Sequence, residues 1–168
     1  MTQIKISSSE ILKSDIIEND WNILFVVPGN PKALKRHRTF QRGKFTGTYD
    51  PSANDKADFL AIAMENKPSV PYNEALAVLL KFNFPRPKNH YRTGSKAHLL
   101  KDSAPKYHIG IPDADNLAKF VCDSFNKVFW KDDSCISELF VSKQYSITPC
   151  VEIFIATLHK EVQTDIFN

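Results

Sequence analysis

The chain has 168 residues, 42% hydrophobic and 24% charged, with twelve Phe and a formal net charge of +3. That is enough chain for one domain with a real core and too little for two, with the composition of an ordinary globular protein. No apolar stretch approaches the roughly 20 residues a bilayer-spanning helix needs, and residues 1–20 lack the basic segment and apolar block of a secretory signal.

Three cysteines, Cys122, Cys135 and Cys150, form an odd set with no CxxC spacing. This argues against a disulfide framework and a structural zinc site, and points to reduced thiols in the cytoplasm. The charge is unevenly spread. From Lys32 to Lys106 there are fifteen Lys and Arg against six acids, whereas from His108 onward there are five Lys against nine acids. A basic half beside an acidic half fits a surface facing a polyanion around an acidic centre, and equally a solvated lysine-rich face.

Taken in chain order, Ile23 to Val27 is an apolar run stopped by Pro28-Gly29, which reads as a buried strand. The stretch from Lys32 to Tyr49 carries six Lys and Arg with Phe40, Phe45 and Tyr49 interleaved; its weak period of two fits a loop or ragged hairpin. Residues 51–66 predict a short amphipathic helix with Ala57, Leu60, Ala61 and Met64 on its stripe. EALAVLLKFNF reads as a strand ending at Pro85, although its first half also fits a helix. Residues 85–108 have no usable period and predict a long loop, a feature usually functional or disordered in compact domains. Leu117, Phe120, Val121, Phe125 and Val128 then mark the core stripe of the best helix, with Asp115 placed as its N-cap and Asp113 just outside. VFWKDDS is a turn. CISELFVSKQYSI is a strand with a slip at Phe140 that suggests a bulge, its apolar members running to Ile147, and CVEIFIATL is the closing strand. The fold class is therefore α+β: a single domain in which a small mixed sheet packs against two main helices.

The segment PDADNLAK, Pro112 to Lys119, and the pair Asp132-Asp133 carry the chemistry. A hard divalent cation such as Mg²⁺ takes one or two protein carboxylates and fills its remaining positions with water and phosphate. Asp113 and Asp115 can converge where a chain bends into a helix, with a third carboxylate one helix away. Lys119, four residues past Asp115, stands over the first turn, where it can neutralise a phosphate or developing charge. The ordinary alternative is a helix cap, a surface turn and an Asp115–Lys119 surface pair. An EF-hand starting at Asp113 is excluded, since it needs Gly and Glu where Ala118 and Ser124 stand. His108 and His159 have no zinc spacing with the cysteines, and His37, His90 and His98 sit in basic loops.

Pro112 to Ile136 resembles the signature of the RusA-type Holliday-junction resolvases: a P-D-x-D-N-L-x-K segment, a helix with D-[AS]-[LF]-N, and W-x-D-D-x-x-[IV]. Here stand Asp113, Asp115, Asn116, Leu117, Lys119, Asp123, Asn126, Trp130, Asp132, Asp133 and Ile136. VPGNPKALKRHR and FPRPK are similar to upstream parts of the family. The likeness spans residues 22–158, with 1–21 an N-terminal extension and 159–168 a tail. It implies a homodimeric, Mg²⁺-dependent endonuclease, with Mn²⁺ an acceptable substitute. Such an enzyme nicks four-way or branched DNA in pairs during recombination and repair, in the cytoplasm of a bacterial host if phage-encoded. By the same resemblance Asp113, Asp115 and Asp133 hold the metal and Lys119 is the essential lysine, with Asp132 left open. NKVFW departs from the family where relatives often carry a glycine, and Cys135 stands in place of a common Gln.

The basic residues Lys35, Arg36, Arg38, Arg42, Lys44, Arg86, Lys88 and Arg92 are expected to contact DNA phosphates. Phe40, Phe45 or Tyr49 is expected either to stack at the junction centre or simply to pack on the surface. A catalytically inert branched-DNA binder and a D-x-D nucleotide-sugar transferase remain alternatives, the latter without a Gly-rich phosphate loop.

Overall fold

A computed structural model describes residues 22–158; the expected extension 1–21 and tail 159–168 lie outside the described residues. The elements are β1 (Ile23–Pro28), β2 (Arg38–Arg42), β3 (Phe45–Tyr49), α1 (Ala53–Ala63), β4 (Leu76–Pro85), α2 (Ala114–Phe125), β5 (Ile136–Ser146) and β6 (Cys150–Thr157). Four strands make one mixed sheet in the order β1-β6-β4-β5, antiparallel except for the β4/β5 pair. The remaining two, β2 and β3, form a separate hairpin. The α+β domain expected from the sequence is therefore observed.

β4 runs through the middle of the sheet, and its apolar run is buried on both faces, as a central strand bordered by a parallel neighbour requires. Its helix-side residues Leu76, Val78, Leu80 and Phe82 join Phe25 and Val27 of β1, Val151, Ile153 and Ile155 of β6 and the inner stripes of both helices in one core. Aromatic rings dominate the seam. Phe125 stacks on Phe129 at 4.2 Å between centroids, Phe59 lies 5.4 Å from Phe125, and Trp130 closes the far side at 5.8 Å. Burying each such ring contributes about 1.5–3 kcal/mol, which is where the chain's many Phe are spent.

Several expectations are corrected in detail. β1 is a half-buried edge strand rather than a buried one: Phe25 and Val27, with partly buried Ile23, face the core, and Leu24 and Val26 look outward. The inner stripe of α1 is Phe59 and Ala63, with the expected Leu60 partly buried against the core and buried Ser52 at its start, while Ala57, Ala61 and Met64 are not part of it. The choice among several small apolar positions is made by where the Phe59 ring finds Phe120 and Phe125. The register slip of β5 falls at Ser137, skipped between the Leu76–Ile136 and Ala77–Glu138 pairs, while Phe140 pairs in register with Leu79. Ile147 lies beyond β5 and is exposed. Residues 85–108 are not structureless. Two single turns at Lys88–His90 and Gly94–Lys96, a Tyr91–Leu100 bridge and the Arg92–Asp102 ion pair order them through interactions too local to leave a period.

Candidate active site

α2 begins two residues earlier than expected, at Ala114. Asp113, extended at φ −70° and ψ 152°, is the residue before the helix, and Asp115 lies inside the first turn. The N-cap therefore falls on Asp113, yet its carboxylate makes no capping hydrogen bond. Among the described residues neither Asp115 nor Lys119 takes part in an ion pair. Both interactions that would make these residues ordinary helix furniture are thus missing, and Asp115 and Lys119 are exposed.

The backbone delivers Asp113 by an unusual route. After the ordered loop the chain returns alongside β5. Tyr145 donates its N–H to the Lys106 carbonyl at 2.9 Å, Tyr107 bridges Gln144 antiparallel, and His108 donates to the Lys143 carbonyl at 3.1 Å. Each step moves back along β5 toward its start, so α2 opens beside the strand rather than past its end. Asp133 stands three residues before that start, in a single turn spanning Asp133–Cys135. It lies near α2: burial pushes the Cys122 thiol up to about 11, with the charges of Asp133 and Asp123 adding to the shift.

The acidic pair divides its roles. Asp132 Oδ1 accepts the Ser134 N–H at 3.0 Å, capping the turn, and hydrogen bonding to Ser134 holds its carboxyl below the ordinary aspartate range. Asp133, the expected ligand of the two, is left free of that task. Among the described residues, no three His, Cys, Asp or Glu side chains gather closely enough to hold a metal ion. The donor set itself, hard carboxylate oxygens without basic partners, suits Mg²⁺, which needs only one or two carboxylates from the protein.

Lys119 opens onto a cleft of about 430 Å³ between the segment Leu34–His37 and the α2 face bearing Asn116, Lys119 and Asp123. Leu34 donates its N–H to the Asn116 carbonyl at 3.1 Å, and Lys35 its N–H to Ser52 Oγ at 2.8 Å. The basic segment is therefore stitched to both helices. Ser52 is a residue that sequence reading missed, since a Ser before a helix signals a cap and not an anchor for a distant segment.

The expected DNA contacts separate into two groups. Lys35 Nζ donates to Asp55 at 2.8 Å, Arg86 to the Pro105 carbonyl at 2.9 Å, and Arg92 to Asp102 and the Leu100 carbonyl, so these three already have a partner within the chain, each at an exposed contact. Arg36, Arg38, Arg42, Lys44 and Lys88 have no side-chain ion-pair partner among the described residues. The hairpin β2–β3 turns at Gly43, whose φ of +64° suits the first position of a two-residue hairpin turn. Arg38 lies across from Tyr49, Phe40 from Gly47 and Arg42 from Phe45. Since alternate residues share a face, both arginines and all three rings stand on one side. The Phe40 ring occupies the space above Gly47, where a Cβ would meet it at 2.6 Å.

A mixed sheet packed with two helices, an open carboxylate-bearing helix start and a basic hairpin define the class: a small α+β domain with an exposed acidic helix start and a separate basic hairpin. Comparison with known proteins makes this specific. Residues 28–156 match the family model described as Endodeoxyribonuclease RusA. The chain is also 32% identical over 140 residues to the Uncharacterized protein YqaN of Bacillus subtilis (strain 168), covering 79% of this chain and 94% of that one. The chain belongs to the RusA endodeoxyribonuclease family, whose members are divalent-metal-dependent nucleases acting on branched DNA. Among the described residues no helix is long and apolar enough to cross a membrane.

Proposed function

We propose that this chain is a Mg²⁺-dependent endodeoxyribonuclease that resolves Holliday junctions and related branched DNA by paired nicks in recombination and repair, acting as a homodimer in the cytoplasm. The observation that carries the reading is the charged group at the start of α2. Asp113 is placed as a cap but does not cap, and Asp115 and Lys119 are placed to pair but do not pair. Leaving charged groups uncommitted on a well-packed helix forgoes stabilisation, which makes sense where a ligand takes them up.

In this reading Asp113, Asp115 and Asp133 hold the metal, with Mn²⁺ able to replace Mg²⁺. When bound, the ion supplies a nucleophilic water and neutralises charge on the phosphate. Lys119 holds a proton on its ammonium and faces the phosphate from the cleft. Arg36, Arg38, Arg42, Lys44 and Lys88 neutralise the backbone without reading sequence. Lys35, Arg86 and Arg92 serve mainly to hold the segments that carry them. Phe40, Phe45 and Tyr49 offer rings for unstacked bases at a branch point. Two active sites related by a two-fold axis account for symmetric nicks.

The absence of a three-carboxylate cluster among the described residues favours one rival, an inert branched-DNA binder. A labelled synthetic four-way junction incubated with Mg²⁺ or EDTA, with wild type beside Asp115→Asn, separates the two. Paired nicks with wild type and Mg²⁺ alone support the nuclease. Binding without cutting by both proteins supports the inert binder.

A further inference from the structure

Between His108, tied to β5 through its N–H, and Asp113, whose carbonyl accepts the first helical hydrogen bond from Leu117, four residues cross open space. Ile109 is 96% and Ile111 86% exposed, so side-chain burial does not fix this bridge. Instead a single side chain reaches it. Lys143 Nζ donates to the Gly110 carbonyl at 2.7 Å and to the Pro112 carbonyl at 2.8 Å. Among the described residues these are the only hydrogen bonds made by residues 109–112.

The sheet explains how one lysine reaches both. Lys143 pairs in register with Phe82, whose ring lies in the core beneath the helices. Lys143 therefore leaves the sheet on the helix-covered side, directly under the returning chain. An ammonium carries three donors with no directional fork, and it can satisfy two carbonyls that no backbone N–H serves. Charge-assisted hydrogen bonds of this kind are roughly twice as strong as neutral ones.

We propose that Lys143 is a positioning residue for the metal centre, a strap that fixes the Gly110–Pro112 backbone and thereby the direction in which Asp113 presents its carboxylate. The inference rests on the reading of Asp113 as a metal-binding residue. Groups that orient a ligand from behind typically govern metal affinity by 10–100-fold, because a misdirected carboxylate must be reordered at each binding event.

The test compares wild type with Lys143→Met, which keeps the aliphatic stem and removes the donors, with Lys143→Arg, which keeps donors and charge, and with Asp115→Asn. Two readouts are taken on the full chain: backbone amide order parameters of residues 109–111 without metal, and Mn²⁺ binding measured directly by the loss of free-ion paramagnetic resonance signal. Lys143→Met is expected to lower those order parameters from about 0.85, the rigid range, toward about 0.6 or below, and to bind Mn²⁺ about tenfold more weakly, the lower end of the range for orienting groups. Lys143→Arg should recover most of both effects, and order parameters in α1 and β6 should not change. Unchanged order parameters, or Mn²⁺ affinity equal to or tighter than wild type in Lys143→Met, would overturn the strap while Asp115-sensitive binding in wild type leaves the metal reading standing. If wild type shows no Asp115-dependent Mn²⁺ binding, the metal reading fails, and the positioning role falls with it even if the segment loosens. Loss of order throughout the chain would assign Lys143 to general stability and likewise refute the proposal.

Discussion

The Lys35 N–H donates to Ser52 Oγ at 2.8 Å, and Ser52 is wholly buried. One hydroxyl thus joins the basic segment to the start of α1, 17 residues further along the chain. Ser52→Ala leaves that backbone donor unsatisfied beside the core, a loss of about 1–3 kcal/mol, or roughly 2–12 °C in Tm for a domain of this size. Since the same segment lines the cleft beside Lys119, junction affinity should also fall. Thermal unfolding and junction titration of the variant check both; an unchanged Tm would show that the tether contributes little.

Asp55 accepts from Lys32 at 2.7 Å and from Lys35 at 2.8 Å. These bonds, Lys32 first, hold its carboxyl below the ordinary aspartate range. A depressed folded value stabilises the fold above the unfolded pKa of about 3.9, and that stability is lost as pH falls through the folded value. Both lysines are about half exposed, so the total gain is roughly 0.5–1 kcal/mol. Wild type should be more stable than Asp55→Asn at neutral pH, and the gap should close as pH falls below the unfolded aspartate value and through the lowered folded one. A gap independent of pH would exclude the ion pairs as its source.

The central strand, the best helix and the closing strand were legible because burial imposes a period on them. Leu117, Phe120, Val121 and Phe125 are buried as their spacing demands. The stripe of α1 was legible only at Leu60; Phe59 and Ala63 were missed, because tertiary packing of the Phe59 ring on Phe120 rather than a helical period decides which side of the helix is buried. At the site, the motif residues were visible as a set, but the cap shift to Asp113 was not. An Asp at either position looks alike until backbone dihedrals are known. Lys143 left no signal, being one polar residue in an alternating strand whose function depends on a loop folding back over it. The commitment of Lys35, Arg86 and Arg92 to internal partners was likewise hidden, because sequence shows charge and not what answers it.

Lys127, within the NKVFW stretch just past α2, has φ 67°, a left-handed backbone position. A side chain in this region costs about 1–2 kcal/mol, partly offset in glycine by the entropy lost on folding. Lys127→Gly should therefore stabilise the fold by roughly 0.5 kcal/mol, read as an increase in denaturant midpoint with unchanged slope. Lys127→Val, β-branched, should destabilise. The opposite order would mean that the Lys127 side chain, rather than its backbone, sets the energy.

Arg38 and Arg42 share the hairpin face with the three rings and have no ion-pair partner among the described residues. Replacing both with Gln should weaken junction binding and reduce the slope of log affinity against log salt by about 2, near 0.9 for each phosphate no longer neutralised. Lys35→Gln should change that slope less, because Lys35 is already engaged by Asp55. Cutting of saturated junction should survive in both variants. An equal slope for the double variant and wild type would remove the hairpin from the DNA path.

The pair Asp132–Asp133 gives the sharpest separation of fold from chemistry, because adjacent, equally charged residues are assigned different duties. Asp132 caps Ser134, and an Asn keeps a side-chain oxygen able to accept that bond, so Asp132→Asn should retain most of the activity. Asp133→Asn loses the anionic donor that a hard cation prefers and should reduce nicking by at least about a hundredfold, the upper end of the effect seen when a group near a metal is removed. Junction binding in EDTA should be unaffected in Asp133→Asn. Removing its charge should also relieve part of the upward push on the neighbouring Cys122 thiol, most of which comes from burial. Parallel nicking and binding assays on the two variants decide the matter. If Asp132→Asn is the inactive one, the ligand of the pair has been assigned to the wrong carboxylate; if both stay active, the turn is not part of the metal site at all.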